Sequence, residues 1–112
     1  MSAGARALAG SAVVKAFSNI YCRHLLSLAR PAGAADRTFL PIAGDDSAAK
    51  QAVSALLDSI GYGTVDAGPL ADSWRQEPGS PVYGAPYGPF SRPAGTPASD
   101  GTIRSALAAA TR

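Results

Sequence analysis

The chain has 112 residues, 46% of them apolar and 16% charged, with a formal net charge of +2, which allows one folded domain and excludes fibrous and collagen-like classes. Of the apolar residues 24 are alanine, whereas Val, Ile, Leu and Phe together number 21, so the side chains able to build a core are few and a partner is expected. Cys22 is the single cysteine, which excludes an internal disulfide and favours a reducing compartment, so a cytoplasmic location is expected.

The longest near-apolar runs, 8–17 and 103–110, fall far short of the roughly 20 residues that span a bilayer, so no membrane association is expected. Charge is uneven. Arg6, Lys15, Arg23 and Arg30 precede the first acid, Asp36, and residues 36–112 hold six bases against eight acids. Four scattered cations are not the clustered patch that phosphate tracking requires, so nucleic-acid binding is not expected. A strand-like run follows the acid-free start almost at once, which argues against a transit segment.

Residues 1–10 mix alanine with Gly4 and Gly10 and read as a frayed helical turn. The run 12–17 is short, β-branched at its centre and bounded by Gly10 and Ser18-Asn19, as in a buried strand. Ser18 is placed to cap a helix over 19–29, where Tyr21, Leu25 and Leu28 recur at helical spacing before Pro31 and Gly33 stop it. A second strand is expected over 38–43, with Pro41 suggesting an edge or irregular position. Asp45 and Asp46 then stand as caps for the clearest helix, whose stripe is Ala49, Ala52, Val53, Leu56, Leu57 and Ile60, with Gly61 as its stop. On that pattern Leu56 is expected to be buried.

Residues 64–67 read as a third strand, and 70–76 as a helical turn carrying Trp74. Residues 78–97 hold six of the nine prolines with Tyr83, Tyr87 and Phe90, a composition of loop. Trp74, Tyr83 and Tyr87 are expected to pack on the sheet or across a dimer, because each aromatic ring brings a large apolar area. The tail resumes a helix with Asp100 as cap and Ile103, Ala106, Leu107 and Ala110 on one stripe.

Alternating strands and helices predict an α/β fold: an incomplete doubly wound, Rossmann-like half-sheet of about three mainly parallel strands over 1–77, a Pro/Gly/aromatic loop over 78–99 and a C-terminal helix over 100–112. No complete catalytic motif stands in the sequence. Gly61-Tyr62-Gly63 follows a helix and precedes a strand, the reverse of a dinucleotide-binding turn. Cys22 and His24, two apart on a helix, point about 200° apart and cannot act as a pair. What remains is the geometry of open α/β sheets, where ligands bind beyond the carboxyl ends of the strands. Those ends are Phe17-Ser18-Asn19, Gly44-Asp45 and Gly68-Pro69-Leu70, with ordinary strand-to-helix turns as the other reading.

At these residues a resemblance becomes specific. Val13-Val14-Lys15-Ala16-Phe17-Ser18-Asn19-Ile20, Pro41-Ile42-Ala43-Gly44-Asp45-Asp46 and Val65-Asp66-Ala67-Gly68-Pro69-Leu70 occur in order. Together they resemble the later part of the NADP-dependent reductases of the deazaflavin-coenzyme family and the related metalloreductase reductase domain, over roughly residues 10–90. The resemblance implies an oxidoreductase moving hydride between NADP(H) and a deazaflavin- or flavin-type acceptor. In that family NADP is anchored by a glycine-rich turn that this chain lacks, so the chain alone is expected to be inactive. It also implies that Ala16, Phe17, Ser18 and Asn19 lie near the nicotinamide, with Gly68, Pro69 and Leu70 walling the cleft; Ser18 stands where the family has asparagine. The expected partner is then a second copy or a complementing nucleotide-binding chain. The alternative is a non-catalytic α/β interaction module that binds a partner through its aromatic, proline-rich loop.

Overall fold

The computed structural model describes residues 13–111. The helical turn expected over residues 1–10 lies outside them. Three strands, β1 (Val14–Lys15), β2 (Phe39–Gly44) and β3 (Gly63–Asp66), form a sheet in the order β1-β2-β3. The helices are α1 (Cys22–Ser27), α2 (Ser47–Ser59) and α3 (Asp100–Ala109), with 3-10 segments at Leu70–Gln76 and Ala85–Tyr87. The fold is therefore α/β, but the sheet is mixed rather than mainly parallel. β2 and β3 are parallel through Leu40↔Thr64 and Ile42↔Asp66, whereas β1 meets β2 antiparallel at Val14↔Gly44 and Lys15↔Ala43.

Pro41 occupies the central strand, and the register explains how. Gly63 and Ala67 give their N–H groups to the carbonyls of Thr38 and Ile42, so the even-numbered residues of β2 face β3 and residues 39, 41 and 43 face the other way. β1 pairs only as far as Ala43, so Pro41, which has no N–H, stands where no strand asks for one. Beyond it, the loop takes the place of a strand: Phe39 donates to the carbonyl of Ala98 at 2.9 Å and its own carbonyl accepts from the Tyr87 hydroxyl at 3.2 Å.

α2 begins as expected, with Asp46 accepting from the N–H groups of Ala48 and Ala49, and Gly61 at φ +109° closes it. A Cβ on Gly61 would come within 2.8 Å of Ala29, so the helix exit also requires glycine for close approach. The expected stripe was too wide. Leu57 is fully buried while Leu56 is 59% exposed, a correction that follows from the 100° between successive helical residues. The line that meets the sheet is Lys50, Ser54 and Leu57: Lys50 pairs with Asp66 at 3.0 Å and Ser54 meets the Thr64 hydroxyl at 2.5 Å.

α3 is capped by Ser99, whose side chain accepts from Thr102, and Asp100 opens the first turn. Ile103 and Leu107 are buried, and α3 packs on β2 and β3. Small as the aliphatic supply is, the core is completed by Tyr62 and by Val82 and Tyr87 from the proline-rich segment, all fully buried. Tyr83 is 38% exposed, so of the loop tyrosines only Tyr87 is a core residue; Trp74 is half-buried.

Candidate functional site

The helix expected from residue 19 starts later, with Tyr21 at its N-cap, because residues 16–20 are used in a turn. Phe17 leaves β1 at φ +61°, in the left-handed region that bulky side chains rarely enter. Its ring is 38% exposed, and Ala16 before it is half-buried. Ser18 is half-buried and points its hydroxyl at Oε1 of Gln76, 3.4 Å away, instead of capping a helix.

Asn19 is buried, and its Nδ2 donates to the carbonyl of Val82 at 3.1 Å and to the Tyr87 hydroxyl at 2.8 Å. Its main-chain carbonyl accepts from Gly84 N–H at 2.7 Å. Two bonds from Nδ2, one to a carbonyl that can only accept, fix the amide orientation and leave Oδ1 without a partner. Gln76 is fully buried at the end of its 3-10 segment, and its Nε2 is likewise unpartnered. Buried polar atoms are rarely left so, and among the described residues this acceptor and this donor share that condition with Nδ1 of His24. Burial raises the Tyr87 phenol above its ordinary value, against the opposing Asn19 bond, so the hydroxyl stays protonated and able to donate to Phe39.

The second block lies at the carboxyl end of the parallel pair. Gly68, at φ +97°, accepts from Gly44 N–H at 3.0 Å and donates to Asp66 Oδ1 at 2.8 Å. Leu70 N–H donates to Asp45 Oδ1 at 3.1 Å, so Asp45 ties two strand ends together while Asp46 does the capping. Pro69 is exposed and Leu70 half-buried. Burial opposes the ionisation of Asp66, yet the Gly68 N–H and Lys50 hold its carboxyl below the usual value.

The structure thus brings Gly68, Pro69 and Leu70 together with Gly44 and Asp45, and places Ala16 to Asn19 elsewhere. Because β1 is antiparallel, its carboxyl end runs toward the amino end of β2, alongside Leu70–Gln76. That segment starts at Leu70, which meets Asp45, and ends at Gln76, which meets Ser18.

No family model and no solved structure matches the chain. The protein YjhV of Escherichia coli (strain K12) is 40% identical over 53 residues, 47% of this chain. The matched stretch covers 39% of YjhV, so the likeness reaches less than half of either protein.

Asn19 Oδ1 offers an acceptor and Gln76 Nε2 a donor, the chemical complement of a carboxamide group. Gln76 carries no signal in the sequence, since a glutamine after a tryptophan-bearing turn marks nothing. Tyr87 was visible only as an aromatic residue in a loop. His24, by contrast, is fully buried with Nε2 2.9 Å from the carbonyl of Arg92, while Cys22 is exposed, so the two diverge as their spacing requires. Among the described residues no group of three His, Cys, Asp or Glu side chains is placed to hold a metal ion, and no helix is long and apolar enough to cross a membrane.

Proposed function

We propose that the chain is part of an NADP-dependent oxidoreductase and supplies the nicotinamide end of its cofactor site. The observation that carries this reading is the pair of unpartnered buried amide atoms, Asn19 Oδ1 and Gln76 Nε2, beside the strained Phe17 turn. Asn19 and Gln76 would hold the carboxamide and Phe17 would present a flat apolar wall; bound NADPH would supply the hydride. Ser18, half-buried and bonded to Gln76, is the group that would give way as the amide enters. Among the described residues no strand, glycine-rich turn and helix follow one another to cradle a pyrophosphate, and on this reading that role falls to another unit.

Titration of the 15N-labelled chain with nicotinamide mononucleotide at millimolar concentration tests the site. The side-chain amide signals of Asn19 and Gln76 are expected to shift, and nicotinic acid mononucleotide, whose carboxylate has no donor, is expected to leave them in place. Equal effects of the two, or none, would remove the carboxamide site.

A second reading, a non-catalytic module that binds through its loop, is favoured by Phe90, which stays 60% exposed with its ring 4.7 Å from that of Tyr21. A binding partner lost on Phe90→Ala while the nucleotide shifts persist would support it.

A further inference from the structure

β3 is one of the two outer strands of the sheet. Its residues 63 and 67 bond inward to β2, so the period of two turns the N–H and C=O groups of Thr64 and Asp66 outward, and no described residue pairs with them. A bare edge of this kind is a template for another strand. The surroundings suit one, because clefts flank the edge. One, of about 530 Å³, is walled by Arg75, Arg104 and Asp66; the other, of about 330 Å³, by Lys50, Ser54, Thr64 and again Asp66 and Arg104. A strand laid along the edge sends alternate side chains to opposite sides, one set into each cleft.

The charge of the clefts selects among strands. Their lining carries three cations, Lys50, Arg75 and Arg104, against one carboxylate, Asp66. Lys50 is held by Asp66, and Arg75 donates to the carbonyl of Leu107 at 3.0 Å. Arg104 lines both clefts, its side chain is 62% exposed, and its nearest carboxylate, Asp100, stands at 3.8 Å. A guanidinium with five donors and one long contact has bonds left to give.

We propose that the edge of β3 accepts, as an added strand, an extended acidic segment of another protein, anchored by main-chain bonds to Thr64 and Asp66 and by carboxylates on Arg104. The probes are an octapeptide of alternating threonine and glutamate and its counterpart of alternating threonine and lysine, followed by amide exchange and anisotropy on the full chain. The glutamate peptide is expected to slow exchange at Thr64 and Asp66 and to bind about tenfold more tightly than the lysine peptide, and Arg104→Glu, at an exposed position that leaves the circular dichroism unchanged, is expected to abolish that preference. Equal binding of the two peptides by the wild type, or unaltered exchange at both amides, would overturn the proposal. So would protection that grows with chain concentration in the absence of peptide, which would assign the edge to a second copy.

Discussion

Tyr87→Ala is expected to lower the unfolding free energy by about 3–5 kcal/mol, as large aromatic truncations in a core do, and to depress Tm by more than about 10 °C. The ring is fully buried and its hydroxyl joins two otherwise separate pieces, accepting from Asn19 and donating to Phe39 on β2. Removal of the side chain therefore opens a cavity and leaves the Phe39 carbonyl without that partner on a strand edge that no β-strand covers. Tyr87→Phe keeps the volume and is expected to cost about 1–3 kcal/mol, the penalty for a buried polar group left unbonded. Thermal melts of the two variants beside the wild type separate packing from bonding. A melt of Tyr87→Ala within a few degrees of the parent would show that the loop is not part of the core.

The second large effect lies on α2, where neighbouring leucines should behave in opposite ways. Leu57→Asp is expected to abolish folding, because a carboxylate without a partner in the core costs several kcal/mol, comparable to the 5–15 kcal/mol that holds a domain of this size together. Leu56→Asp is expected to change stability by no more than about 0.5 kcal/mol, since its side chain is 59% exposed. Urea titrations followed by circular dichroism decide it, and equal losses in the two variants would contradict the orientation of the helix.

That contrast marks what sequence can carry. Element order, the position of α2 and its Asp46 cap were legible because they depend on neighbours along the chain. The side of α2 that meets the sheet was not, because the alternation of apolar residues 49, 52, 53, 56, 57 and 60 covers more of the helix than the sheet does, and only contacts such as Ser54 with Thr64 select the line. Strand direction was equally hidden. A two-residue strand gives no sign of whether it returns, and the assumption of parallel strands placed residues 16–19 and 68–70 at one edge when they lie apart. Asn19 was singled out among the candidate residues; its link to Val82 and Tyr87, more than sixty residues away, belongs to the tertiary fold alone.

Calorimetric titration of NADPH into the purified 112-residue chain tests most directly whether this chain holds the nicotinamide end of a cofactor without its anchor. A carboxamide, a ring wall and no pyrophosphate cradle predict binding weaker than about 1 mM, with heats too small to give a saturating isotherm. A saturating isotherm with a micromolar Kd would contradict it, since such affinity requires phosphate contacts that the residues assigned to the site do not provide.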